Sequence, residues 1–344
     1  PRDAWADDAP GRTAIIVGMS FFAIVLALLI EQARPLARSN PIHEGLRAWA
    51  LSARRNFDAG TKAHGWITWT LAVGVPPLAV LTVYWALLHF IGWPLALAWN
   101  VLVLYITLGF RQFSHHFTDI RDALEDGDVA LARERLAEWK QVEAEQLPRS
   151  EIVRHVIEYS VIAAHRHVFG VLAWFAGLSM LGLGPSGAVL YRMAEFASRH
   201  WSPTAALPEH PPSVALVDAA ARAWTVMDWL PARLTALCFA VVGSFEEAIE
   251  GWRFHAQRFP GDNDGVVLAA TAGAIGVRLG GVALRSRGDA GAAAFEAGGS
   301  LGDSDSTPGQ EPQLGHLRSV VGLVWRSVVV WLLMLALLTL ARLL

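Results

Sequence analysis

The chain has 344 residues, of which 53% are hydrophobic and 17% charged, against about 25% charged in an average soluble domain. Its 28 basic and 31 acidic residues leave a net charge of −3, which offers no field for a nucleic-acid backbone and excludes DNA or RNA as a partner. The single cysteine, Cys238, excludes a disulfide frame or a thiolate zinc cage within one chain.

Taken in chain order, residues 1–18 read as a polar extension, because Met19-Ser20-Phe21-Phe22 resembles a start. Residues 14–30 are just long enough to span a bilayer. A basic stretch follows, with Arg34, Arg38, Arg47, Arg54, Arg55 and Lys62 between residues 31 and 65. Residues 66–91 and 93–110 are uncharged runs separated by Gly92, and they predict a helical hairpin with Pro76-Pro77 inside its first arm. Residues 118–140 carry an apolar stripe (Ile120, Ala123, Leu124), the breaker Asp126-Gly127-Asp128, and a second stripe (Leu131, Leu136, Trp139). That pattern predicts an αα-hairpin with Asp128 as N-cap, its charges forming a solvated face.

Ser150 then opens a helix with Ile152, Val153, Val156 and Ile157 on one side, running into an uncharged span at 168–190. Residues 234–243 are too short to cross, and read as a re-entrant or half-inserted helix with Pro231 in its first turn and Arg233 at its entrance. Residues 286–315 are rich in Gly, Ala, Ser, Asp and Pro without periodicity, the composition of a flexible linker. Residues 316–344 form a terminal transmembrane helix, its apolar run 327–341 flanked by Arg326 and Arg342. The basic loops place 31–65 and 111–167 in the cytoplasm and the turn near Gly92 outside. There is no internal repeat and no alternating strand pattern. The expected fold is all-α: a polytopic integral membrane protein with about four to six transmembrane or re-entrant helices and a cytoplasmic αα-hairpin.

Few motifs carry chemistry by themselves. His115-His116 and His165-Arg166-His167 lack the i, i+4 spacing with a carboxylate that marks a zinc helix; they read as interfacial anchors, and no metal site is expected. Asp228 can cap the turn at Pro231 or pair with Arg233, or Arg233 can hold a phosphate or carboxylate. Gly261-Asp262-Asn263-Asp264-Gly265 and Gly276-Val277-Arg278-Leu279-Gly280-Gly281 are Gly-rich turns on either side of a small-residue helix. Neither is a P-loop or an EF-hand.

Three segments together carry a resemblance: 127–133 (GDVALAR), 231–237 (PARLTAL), and 263–265 (NDG) through 276–281 (GVRLGG). They resemble the CobD/CbiB family of membrane proteins in late cobalamin biosynthesis, over roughly residues 19–285. The resemblance implies ATP-dependent amide formation between adenosylcobyric acid and aminopropanol or its phosphate, with magnesium. It implies Glu158 as the catalytic residue, and Asp228, Arg233, Asn263, Gly265, Arg278 and Arg166 as substrate-binding residues. The implied setting is the bacterial inner membrane, and the implied partners are the bilayer, the corrinoid and other proteins of that pathway.

Several acidic and amide positions of the family pattern are replaced here, by Ile162, Ala163, Ala164, Trp224, Thr225 and Leu268. Carboxylates that hold magnesium are what phosphoryl chemistry needs, so the expected synthase activity is weak or lost. The segment from Asp228 to Leu234 also resembles AmpE, a membrane protein linked to β-lactamase regulation. The alternative reading is therefore a non-catalytic signalling or accessory protein.

Overall fold

The computed structural model describes residues 9–34, 41–140, 144–201, 211–259, 261–281 and 306–343. The described chain is helical, with two isolated bridges, Val277 to Gln310 and Gly280 to Ser306, in place of strands. The helices are α1 (Ala9–Ala33), α2 (Pro41–Phe57), α3 (Lys62–Phe90), α4 (Trp93–Thr107), α5 (Phe110–Glu125), α6 (Val129–Lys140), α7 (Arg149–Ala164), α8 (Gly170–Met180), α9 (Ser186–His200), α10 (Val214–Val242), α11 (Phe245–His255), α12 (Asp262–Ile275) and α13 (Leu314–Leu343). A five-residue π-turn, His165–Phe169, joins α7 to α8.

Among the described residues, four helical stretches are long and apolar enough to cross a membrane: Lys62–Phe90, Arg149–Met180, Val214–Val242 and Leu314–Ala341. The protein is a multi-pass membrane protein. The spans differ from the expected set in three places. The run at 168–190 is not one helix: it breaks after Met180, where Gly182 and Gly184 take positive φ of 76° and 54° before Pro185. The span instead extends backwards to Arg149. The second arm of the hairpin, α4, has only 15 residues, so it is a short apolar helix. The segment at 234–243, expected to be re-entrant, is the second half of the 29-residue α10, and Pro231 lies inside that helix rather than in its first turn.

An internal proline frees the carbonyl four residues earlier. Tryptophans take up two such groups. The Trp174 indole donates to the Met227 carbonyl (3.0 Å), four residues before Pro231. The Trp49 indole donates to the Ala72 carbonyl (3.2 Å), four residues before Pro76. Such satisfaction is what an apolar surrounding demands of a proline-bearing helix.

The chain divides into two compact units. The first comprises residues 1–109, 166–231 and 331–344. Its core joins α2, α3, α4, α9 and α10 through Ala50, Val73, Val103, Met193, Trp201 and Leu216. Gly170 allows α8 and α9 to approach so closely that a Cβ there would overlap the Tyr191 ring. The second comprises residues 110–165 and 232–330. It contains the predicted αα-hairpin, α5 and α6, with Gly127 at φ 81° and the Asp128 carboxylate accepting the Leu131 amide at 2.9 Å. Most of the expected linker, 286–305, lies outside the described residues. Residues 306–310, expected to belong to it, are instead hydrogen-bonded to residues 276–280, and α13 begins at Leu314. Residues 1–8 of the expected extension also lie outside the described chain, whereas α1 begins at Ala9, ahead of Met19.

Candidate functional site

The second unit gathers Glu158, Arg278, Arg233, Asn263 and Gly265. On α7 the residues Glu151, Arg154, His155 and Glu158 recur at three- and four-residue spacing, which puts them on one face of the helix. Buried Ile152, Val153, Val156 and Ile157 hold that helix in place. Arg154, 3% exposed, donates to both Glu158 oxygens (3.0 and 3.2 Å) and to Glu151 (2.9 and 2.5 Å). His155 Nδ1 lies 3.4 Å from Glu158. The Glu158 carboxylate also accepts the Gly280 amide at 2.8 Å. Glu158 thus ties α7 to the Gly-Val-Arg-Leu-Gly-Gly turn.

That turn is held from its other side as well. The Thr307 hydroxyl accepts the Leu279 amide (2.8 Å) and donates to the Leu279 carbonyl (3.2 Å). The Arg278 amide donates to the Gln310 carbonyl, and the Gln310 amide to the Gly276 carbonyl. Arg258 donates to the Ser306 carbonyl. Left-handed backbone at Gly276, Gly280 and Gly281 (φ 66°, 86° and 104°) shapes a turn whose Gly280 amide reaches Glu158.

Arg233 on α10 donates to the Asn263 side chain at 3.1 Å, joining the middle of that helix to the start of α12. Two residues on, the Thr235 hydroxyl lies 2.9 Å from His165 Nδ1, at the end of α7. Gly265 serves packing: a Cβ there would collide with the Ala256 carbonyl oxygen.

Asp228 and Arg166 belong to the first unit. Asp228 is fully buried; it caps no turn, and accepts from the Tyr191 hydroxyl at 2.7 Å. Arg166 lies in the π-turn with its guanidinium 5.6 Å from the centre of the Trp224 ring, and Trp224 packs against Tyr191 with ring centres 5.2 Å apart. Asp228 and Arg166 therefore flank one aromatic pair. Burial and the Asp228 carboxylate push the Tyr191 phenol well above its ordinary pKa of 10.0, so Tyr191 donates to Asp228 as a neutral phenol.

Sequence reasoning missed the cluster beside them. On α9, Glu195 is 1% exposed and is met by Arg192 (3.1 Å) and Arg199 (2.6 Å). Burial opposes the charge of Glu195, but Arg192, Arg199, His167 and Arg166 outweigh it and hold the pKa at about 2. The legible signal is Arg-x-x-Glu-x-x-x-Arg, a helical triplet at 192, 195 and 199 beside the apolar residues Val189, Met193 and Ala194 of the same helix.

A family described as "CobD/Cbib protein" matches residues 20–298. Curated relatives named "Cobalamin biosynthesis protein CobD" include that of Stutzerimonas stutzeri, 32% identical over 323 residues, covering 92% of this chain and 96% of its own. The Chromobacterium violaceum protein of the same name is 37% identical over 181 residues, 53% of this chain and 55% of its own. That of Yersinia enterocolitica is 30% identical over 228 residues, 64% and 67% respectively. No solved structure matches. The full-length similarity to the Stutzerimonas protein and the match across residues 20–298 place this chain in the CobD/CbiB family.

Proposed function

We propose that the protein handles corrinoids at the inner bacterial membrane in late cobalamin biosynthesis, with the amide-forming step of its family weak or lost. In the reaction the resemblance implies, ATP with magnesium would activate a corrinoid carboxylate for attack by aminopropanol or its phosphate. The observation that carries the reading is the engagement of Glu158. Its lone pairs point to the Arg154 guanidinium and the Gly280 amide, with His155 close by. A carboxylate so engaged has few lone pairs left open to act on a substrate as base or nucleophile.

The surrounding donor set does not fit a magnesium site. Magnesium is met by carboxylate oxygens with room for the ion and its waters, and the positions where the family pattern places further acids or amides are Ile162, Ala163, Ala164, Trp224, Thr225 and Leu268. Among the described residues no three of His, Cys, Asp or Glu converge as a metal site. The remaining polar groups suit an anionic substrate: Arg233 oriented by Asn263 at the start of α12, and Arg278 in the turn anchored by Glu158. Arg166 and Asp228 remain candidate substrate contacts in the first unit.

The test is direct. Purified protein in detergent is given adenosylcobyric acid, aminopropanol phosphate, ATP and magnesium, and corrinoid binding is measured in parallel. Binding without turnover is expected. Robust turnover that disappears in Glu158→Gln would overturn the loss of activity. The AmpE-like accessory role is a second reading, favoured by the same apolar replacements, and it predicts neither turnover nor corrinoid binding.

A further inference from the structure

We propose that the basic cluster of the first unit, walled by α2, α9 and the 165–169 turn, binds a phosphate group. Its centre is Glu195, with Arg192 and Arg199 both on its carboxylate. The Arg192 guanidinium also lies 2.6 Å from His167 Nδ1. A guanidinium only donates, so His167 accepts there and adds no negative charge. Arg166, in the same π-turn as His167, acts electrostatically on both Arg192 and Glu195.

The α2 wall adds more cations. Ala50 and Ala53 pack in one core with Ala194, Ala197 and Trp201 of the α9 end. Arg47 and Arg54 lie two turns apart, on the stripe of α2 that contains Ala50. Arg47 acts on both His43 and His200, while Arg192 reaches His43 and Arg199 reaches His200. Burial first, and then these guanidiniums, push both imidazoles below their ordinary pKa of 6.5. Of the nearby carboxylates, buried Glu195 is already shared by two arginines, Asp228 accepts from Tyr191, Asp58 accepts from Ser213, and Glu44 in the first turn of α2 is exposed.

Guanidiniums drawn together around one carboxylate repel each other, and burial amplifies the cost. A dianion relieves it, and the planar fork of arginine matches phosphate oxygens two at a time. Arg199, about half exposed, and exposed Arg47 leave the cluster open to a ligand. The phosphate can come from a soluble ester or from a lipid headgroup; the chemistry of recognition is the same.

The experiment uses the full chain in nonionic detergent. Thermal unfolding is followed with inorganic phosphate against chloride at matched ionic strength. In a second arm the protein is returned to nanodiscs of phosphatidylcholine with or without phosphatidylglycerol. Stabilisation by several degrees in either arm is expected, and the responding arm identifies the source. Arg47→Gln and Arg199→Gln should each weaken the response by about tenfold in ligand concentration, and Arg199→Lys should retain part of it. Arg47 is exposed, so its variant keeps the test usable if Arg199→Gln fails to fold. No stabilisation in either arm, or a response unchanged in both glutamine variants, would overturn the proposal.

Discussion

The Trp174 indole donates to the Met227 carbonyl at 3.0 Å, the group to which residue 231 would donate if it were not proline. The side chain of α8 therefore completes the hydrogen bonding of α10. This explains how a 29-residue helix passes through a proline whose sequence setting predicts a helix start.

Trp174→Phe should destabilise the protein by about 1–3 kcal/mol, the usual cost of leaving one buried polar group unsatisfied. Pro231→Ala restores an amide at position 231, so in the Trp174→Phe background it should recover much of that loss. Thermal unfolding of the two single variants and the double variant makes the cycle. Additive effects would show that the indole and the proline are unrelated.

The same proline shows how far the sequence could be read. Apolar length and the breaks at Gly92 and Asp126-Gly127-Asp128 mark the α3–α4 hairpin and the α5–α6 unit correctly, because those signals are local. Pro231 misleads because proline at a first turn and proline inside a helix look alike until a partner such as Trp174 is known. Glu158 is marked only by the family resemblance, and nothing in the sequence marks its bond to Gly280, 122 residues away. The Arg192–Glu195–Arg199 cluster escapes because a charged triplet on a helix normally means a solvated face. Only the packing of α9 shows that the carboxylate at its centre, Glu195, is buried while Arg199 stays half exposed.

Glu158→Ala and Glu158→Gln should separate anchoring from catalysis. Alanine removes the partner of a 3%-exposed arginine and the acceptor of the Gly280 amide, and should cost about 3–5 kcal/mol. Glutamine keeps one oxygen for Gly280 and should cost less. Equal, unchanged melting temperatures in both variants would mean that Glu158 does not hold the turn.

A Cβ added at Gly265 would collide with the Ala256 carbonyl oxygen. Gly265→Ala should lower stability by about 1–3 kcal/mol through overpacking. Gly74→Ala is the control: nothing lies within 4 Å of its Cβ position, and alanine is the better helix former, so it should be neutral or slightly stabilising. Similar behaviour of the two variants would remove the packing role of Gly265.

Glu195 should give the protein an acid-sensitive component of stability. Its pKa of about 2 lies below the ordinary 4.5, so at intermediate pH the unfolded chain binds more protons than the folded one. Stability must then rise with pH through this window. The contribution is fully present above about pH 4.5 and is lost as pH falls toward 2. Its size is about 3 kcal/mol, since a tenfold change in proton affinity corresponds to about 1.4 kcal/mol. In Glu195→Gln the neutral amide does not titrate, so the stability curve between about pH 5 and pH 3 should flatten. The variant should also be less stable at about pH 7, where Arg192 and Arg199 lose their shared counter-charge. Melting temperatures of both proteins across that range are the measurement. Parallel slopes would show that the acid response comes from other carboxylates and that Glu195 is not held ionised by its arginines.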